Sequence, residues 1–276
     1  MYKRVLTVQD VSCLGQCSLT VALPILSASG NETCIIPSAV LSTHTGGFSG
    51  FTFRDLSSDI PKIREHWQKE NIDFDAIYTG YLGSIEQINY IKDLFSGVLR
   101  EGGKTFVDPA MADNGKLYFG FDDAYAKAMA ELSAEADVIL PNLTEACFMT
   151  GLEYKETYDE AYIDEVLGAL RGIGCKDIVL TGIGFEEGAT GVIVLEGNEK
   201  HYYKHKKISK GCHGTGDIFA SAFVGAVLSG KTMEESAKIA ADYTLACIEN
   251  TIIDESHWYG AKFETALPQY IEALQK

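Results

Sequence analysis

The chain has 276 residues and a formal charge of −16, from 23 basic against 39 acidic side chains, with 46% hydrophobic and 22% charged residues. This is globular composition, which excludes a disordered chain. The acid excess argues against general binding to nucleic acid or to an anionic membrane, because both would repel it. Length allows one large α/β domain or two small ones. Cys13, Cys17, Cys34, Cys147, Cys175, Cys212 and Cys247 are scattered, without a CxxC pair or zinc-finger spacing. The opening MYKRVLTVQD has no signal-peptide pattern, and no stretch approaches the ~20 apolar residues of a membrane helix. A reduced, cytoplasmic location is therefore expected, with the cysteines as small core residues or spectators.

Short apolar runs alternate with helical patterns along the chain. The runs predict strands at Arg4–Gln9, Thr33–Pro37, Ala76–Thr79, Thr105–Val107, Val138–Leu140 and Ile178–Thr181. Between them, helices are predicted at Gly15–Ala28, Ile60–Lys69, Ile85–Arg100, Ala124–Leu132 and Asp159–Ile173. Strands separated by helices imply βαβ units and a mostly parallel sheet. Thr190–Leu195 and Lys200–Ile208 flank a Glu-Gly-Asn-Glu turn and read as an antiparallel hairpin at the sheet edge. From Thr215 onward the pattern is nearly all helical. No linker or repeat divides residues 1–276, so one domain is expected, an α/β/α sandwich of three layers.

A parallel sheet directs ligands to the carboxyl ends of its strands. The residues there are rich in functional groups: Asp10, Thr45, Gly80-Tyr81, Asp108-Pro109, Asn142 with Glu145, and Thr181-Gly182. Further on, Gly225–Thr232 matches a Walker A expression, but it runs out of an apolar helix rather than out of a strand. Gly230 suits a helix C-terminus, and Thr232 with Glu235 suits a capping box, so the match is rejected. The better anion site is Gly211-Cys-His-Gly-Thr-Gly-Asp217, where a loop enters a long helix. Glycines there let the backbone approach a ligand, and the unpaired N–H groups of the first turn favour negative charge. Asp217 beside this turn reads as a base next to a site where oxyanion charge develops. The same N–H groups predict a low pKa for its carboxyl.

These motifs resemble the ribokinase-like superfamily and, within it, the pyridoxal kinase family. Gly214-Thr215-Gly216-Asp217 is similar to the superfamily's GTGD signature. Asp108-Pro-Ala-Met-Ala-Asp113 with Gly115-Lys-Leu-Tyr118 resembles the family's DPVMGD…G.LY segment. Leu140-Pro-Asn142-Leu-Thr-Glu145 resembles its TPN..E motif, Thr79–Ser84 its TGYLGS, and Leu41–Gly46 its FSNHT segment. The resemblance runs in order from residue 4 to about residue 250.

The resemblance implies ATP-dependent phosphorylation of the 5′-hydroxymethyl group of pyridoxal, pyridoxine or pyridoxamine. Asp217 would be the base, and Gly214, Thr215 and Gly216 would donate N–H groups to the transferring phosphoryl. Asp10, His44, Thr45 and Tyr81 would line the pyridine pocket, with Cys17, Leu41 and His213 at its edge. Asp108, Tyr118, Asn142, Glu145, Thr181, Gly182, Lys210 and His213 would serve the nucleotide. Glu145, with Asn142, would hold Mg²⁺, directly or through water, and Asp108 would lie at the metal and the γ-phosphate. A monovalent cation such as K⁺ and a homodimer are further family expectations. Lys206, Lys207 and Lys210 form a local basic cluster that offsets repulsion of ATP, or a solvated strand edge. His66, His201, His205 and His257 read as surface residues, and Trp67 and Trp258 as helix-packing aromatics. The segment Leu41–Phe53, rich in glycine and aromatics, reads as a mobile flap.

Two positions depart from the family pattern. Asp10 stands where serine is common, and Leu140 replaces the usual threonine before Pro141-Asn142. Cys212 beside the glycines reads as a wall residue rather than a nucleophile. The competing readings are hydroxymethylpyrimidine kinase, which shares fold and substrate size, and a non-catalytic vitamin-binding protein. The Tyr81 and His44-Thr45 segments favour a vitamer kinase over the first. The intact Gly214–Asp217 set speaks against the second.

Overall fold

The apolar runs fold into strands and the amphipathic stretches into the helices that cover them. In the computed structural model, which describes residues 2–276, the chain begins with β1 (Arg4–Ser12), α1 (Leu19–Ala28), β2 (Glu32–Leu41), β3 (Phe53–Asp55) and α2 (Ile60–Lys69). It continues through β4 (Phe74–Thr79), α3 (Ile85–Gly97), β5 (Leu99–Val107), β6 (Ala112–Asp113), β7 (Lys116–Leu117) and α4 (Asp123–Glu135). β8 (Val138–Ile139), α5 (Leu143–Thr150), α6 (Glu160–Gly172), β9 (Asp177–Thr181), β10 (Ala189–Glu196) and β11 (Glu199–Lys206) follow. The remainder is helical: α7 (Thr215–Leu228), α8 (Met233–Ile252) and α9 (Leu267–Gln275).

One sheet has the order β11-β10-β9-β8-β5-β4-β1-β2-β3, and β6-β7 form a separate small ribbon. The run from β2 to β9 is parallel. β10 and β11 form the expected antiparallel hairpin at one edge, and β3, an exposed Phe-Arg-Asp with no apolar run to mark it, is antiparallel at the other. Alternation along each strand separates two cores. Leu6, Val8, Ile77, Val107, Ile139 and Ile178 pack with α2 to α6. Val5, Ala76, Tyr78, Phe106 and Val179 pack with α1, α7, α8 and α9. The result is the expected α/β/α sandwich.

Some boundaries differ from the expectation. The first helix starts at Leu19 rather than Gly15, because Gly15 (φ 104°) and Ser18 (φ 54°) lie in the left-handed region. The third ends at Gly97, so that Leu99 and Arg100 open β5. α5 was not anticipated at all. The Walker-type match is a helix end, as expected: Gly230 (φ 94°) follows α7, and Thr232 with Glu235 forms a capping box for α8. Among the described residues no helix is long and apolar enough to cross a membrane.

The strand order reverses between β1 and β4, since the chain moves from β1 to β2 on one side and later returns to β4 on the other. At such a switch point the connections diverge, leaving a crevice beyond the carboxyl ends of the two strands. Asp10, Ser12, Gly80 and Tyr81 lie there.

Candidate active site

α7 aims its N-terminus at this crevice. Gly214 is its N-cap, with φ 78°, and a Cβ there would come within 1.9 Å of the Gln16 carbonyl oxygen. Only glycine satisfies both constraints. A Cβ on Gly216 would meet nothing within 4 Å, so this turn borders open space. The first intrahelical bond runs from the Ile218 N–H to the Gly214 carbonyl at 3.0 Å, and no side chain caps the helix. The N–H groups of Thr215, Gly216 and Asp217 therefore precede the helical ladder, at the positive end of the dipole. This is anion-binding geometry.

Asp217, in that first turn, is half-buried. The expectation of a low pKa is overturned. Burial pushes its carboxyl up to about 7, a hydrogen bond from the Ser18 backbone opposes the rise, and the Asp10 charge adds to it. Desolvation outweighs the helix N-terminus.

Three more acids are buried nearby. Ser12 Oγ donates to Asp10 Oδ2 at 3.0 Å, yet burial still raises the Asp10 pKa against the hydrogen bonds of Ser18 and Ser12. Asp108 is raised further, first by burial and then by the charges of Glu145 and Asp217, while the Ala110 N–H donates to it at 3.2 Å. Glu145 is 2% exposed and is pushed up to about 7 by burial, against backbone hydrogen bonds that lower it. Among the described residues none of the four is ion-paired with lysine, arginine or histidine.

Glu145 and Asn142 have a second task. The Asn142 N–H donates to Glu145 Oε2 and the Glu145 N–H to Asn142 Oδ1, both at 2.9 Å, which makes the capping box of α5. Glu145 Oε1 accepts from the Met111 N–H at 2.9 Å, and Asn142 Nδ2 donates to the Ala112 carbonyl at 2.8 Å. The pair thus ties the Asp108–Ala112 turn to α5, and the amide of Asn142 is satisfied by the protein itself. Backbone hydrogen bonds from Asn142, Met111 and Ala112 all favour the ionised Glu145 carboxyl. Among the described residues no group of three or more His, Cys, Asp or Glu side chains converges to hold a metal unaided. Asp108 and Glu145 suit Mg²⁺ in another way, because a cation carried by phosphates and waters would relieve their mutual repulsion.

On the other side of the crevice, Tyr81 is half-buried, and burial with the Asp10 charge raises its pKa. Its ring centroid lies 5.5 Å from Phe121, which stacks on Tyr125 at 3.8 Å, and the Tyr125 hydroxyl donates to the Leu82 carbonyl at 2.6 Å. Cys17 lies in the fields of Asp217 and Asp10, and burial, aided by those charges, holds its thiol protonated. Cys212 is also raised by burial, as suits a wall residue.

The segment between β2 and β3 is irregular. His44 within it is buried. Its Nδ1 accepts the Gly46 N–H at 3.0 Å, so the ring proton sits on Nε2, which donates to the Tyr259 carbonyl at 2.6 Å. Both nitrogens are thus occupied by backbone. Thr45 beside it is exposed. The His213 ring lies 5.1 Å from His44, and partial burial and then His44 lower its pKa.

Asp10, Tyr81, Asp108, Glu145 and Asp217 lie along the crevice close enough for their charges to raise one another's pKa values in turn. Thr181 and Gly182 stand at the end of β9, with the Thr181 N–H donating to the Pro141 carbonyl at 2.9 Å. Lys210 is exposed on a flanking loop, whereas Tyr118, though 43% exposed, lies in the fields of Glu145, Asp108 and Asp217. Trp67 packs on Phe74 as expected, at 5.1 Å. Trp258 does not pack in a helix: it lies in the loop after α8, 4.6 Å from the Phe48 ring in the segment between β2 and β3. His257 is half-buried rather than superficial, its Nε2 2.8 Å from Gln16 Oε1. Sequence reasoning missed Gln16, Ser18 and Phe121. Only Ser18, as a helix-start residue, carried a local signal.

Residues 33–260 match the phosphomethylpyrimidine kinase family. The pyridoxal kinase of Lactobacillus plantarum superposes with a TM-score of 0.90 and 31% identity, over 100% of this chain and 98% of that one. A Bacteroides thetaiotaomicron protein, provisionally described as a phosphomethylpyrimidine kinase and crystallised with pyridoxal, superposes with a TM-score of 0.91 and 34% identity, over 98% of this chain and 96% of its own. The pyridoxine/pyridoxal/pyridoxamine kinase of Bordetella avium is 26% identical over 274 residues, 91% of this chain and 86% of that protein.

Proposed function

Since the chain belongs to the phosphomethylpyrimidine kinase family, in the part of it that holds the pyridoxal kinases, and is therefore a phosphotransferase, we propose that it transfers the γ-phosphoryl group of ATP to the 5′-hydroxymethyl group of a B6 vitamer. The observation that carries this reading is Asp217 beside an uncapped helix N-terminus, its carboxyl pushed up to about 7. A base with that pKa is matched to taking a proton near neutrality as the hydroxyl attacks. The N–H groups of Thr215, Gly216 and Asp217 receive the charge on the transferring phosphoryl, and transfer of this kind depends chiefly on position and charge neutralisation. Asp108 and Glu145 would hold Mg²⁺ carried by the nucleotide, and the ion would supply neutralisation of the phosphate charge.

In this reading Asp10 and Tyr81 face the pyridine ring. Asp10, protonated by burial more readily than an ordinary carboxyl, donates to a ring acceptor as a serine does, and accepts when ionised. The second reading, phosphorylation of hydroxymethylpyrimidine, is supported by the family match itself. Both rings are small nitrogen heterocycles with a hydroxymethyl arm, so one assay separates them. The purified protein with ATP and Mg²⁺ is offered pyridoxal, pyridoxine, pyridoxamine and hydroxymethylpyrimidine. At least one vitamer should be phosphorylated with a higher kcat/KM than the pyrimidine. Turnover of the pyrimidine alone replaces the first reading by the second, and no turnover of any leaves a binding protein.

A further inference from the structure

The loop between α8 and α9 carries no motif, yet it touches three walls of the crevice. Gly260 forms a parallel bridge with Gln16, and the Gln16 side chain reaches both His257, at 2.8 Å, and Glu264, at 2.9 and 3.0 Å. Gln16 in turn presses its carbonyl against Gly214 at the phosphate turn. The Tyr259 carbonyl fixes the His44 tautomer, and His44 fixes the turn at Gly46. Trp258 completes the set. Its ring lies against Gly47, where a Cβ would come within 2.8 Å of it, and against the Phe48 ring at 4.6 Å. Trp258 is 49% exposed, so core packing does not account for its place.

We propose that His257–Gly260 is a clasp and that Trp258 is a positioning residue, holding the flap around Thr45 over the alcohol-binding side of the crevice and so setting affinity for the alcohol rather than the rate of transfer. This rests on the reading of Thr45 as pocket wall. The flap has no regular secondary structure between Ser42 and Thr52, so its own backbone does little to fix it, and ordering it on binding costs conformational entropy. A flap already pinned by an aromatic pair and by His44 has lost that freedom before the alcohol arrives, which is preorganisation. The phosphate turn needs no such help, because α7 and Gln16 hold it.

The test compares wild type with Trp258→Ala and Trp258→Phe, using whichever alcohol of the panel the wild type phosphorylates. Trp258→Ala should raise KM for the alcohol about five- to tenfold, the scale of a lost aromatic contact. ATP KM should hold, kcat should change less than twofold, and Trp258→Phe should recover most of the loss. Separately, in the absence of substrates, chymotrypsin should cut at Phe48 or Phe51 faster in Trp258→Ala than in wild type. This arm is independent of which alcohol is the substrate. Unchanged alcohol KM, or equal rises in the KM of alcohol and ATP, overturns the clasp, as does unchanged cleavage of the flap. Failure of the vitamers as substrates overturns the proposed function alone, and the clasp is then decided on the pyrimidine and the protease.

Discussion

Asp217 sits where two electrostatic demands conflict. The start of α7 favours its anion, while burial and the Asp10 charge favour its protonated form, and the balance falls near neutrality. Asp217→Asn keeps the shape and removes the acceptor. It should lower kcat by about 10²- to 10⁴-fold, the usual range for a lost general base, with ATP affinity preserved because a carboxylate repels phosphate. In wild type kcat should fall as pH drops below about 7, since only the ionised carboxyl takes the proton. The Asn variant should lose that limb. A variant that keeps more than about a tenth of wild-type kcat, or a wild-type rate flat between pH 5.5 and 8, would remove Asp217 from the proton path. The place of this residue was legible as a glycine-aspartate turn entering a helix. Its ionisation was not, because it depends on Asp10 and Ser18, which the fold brings from the far end of the sequence.

α5 shows the same limit at the scale of an element. Asn142 and Glu145 were conspicuous enough to be read as nucleotide and metal residues, and that reading hid the capping box that starts a helix at Leu143 and the left-handed Gly151 that stops it. A residue type at a given spacing can serve a cap and an ion alike. Glu145→Gln separates the roles. The amide nitrogen faces either the Met111 or the Asn142 N–H, leaving one buried donor without an acceptor, at about 1–3 kcal/mol. Thermal unfolding should therefore shift down by several degrees, and if the carboxylate also meets Mg²⁺, the rate should need more of that ion. An unchanged melting temperature would refute the cap. The irregular course of residues 42–52 was legible from their glycines and aromatics. The clasp was not, because a half-exposed tryptophan in an irregular loop has no periodicity to betray its partner.

At the scale of the whole molecule, the alternation of runs made the parallel sheet and its hairpin edge legible, whereas the β6-β7 ribbon pairs Ala112-Asp113 with Lys116-Leu117, which offer no apolar run to mark a strand. The buried acids give the sheet's ligand end a pH signature. Asp217 and Glu145, ordinarily near 3.8 and 4.5, are both pushed up to about 7. The folded state then holds more protons than the unfolded one between those limits, so stability falls as pH rises from about 4 to about 7. The ligand-free protein should melt higher at pH 5 than at pH 8, and Mg²⁺ with ADP should raise the melting temperature more at pH 8, where the charges to be neutralised exist. An equal gain at both pH values would separate the metal from these acids. The sheet has a consequence for synthesis on the ribosome as well. Its β1 and β4 side chains that point to one core are covered by α1 early, but by α7, α8 and α9 only when the end of the fold has been made. About 190 residues separate α1 from α7, roughly 10 to 40 s of elongation at ordinary rates. During that interval β2 to β11 are still being made, and the side chains of the growing sheet that face this core have α1 alone over them until the last helices close.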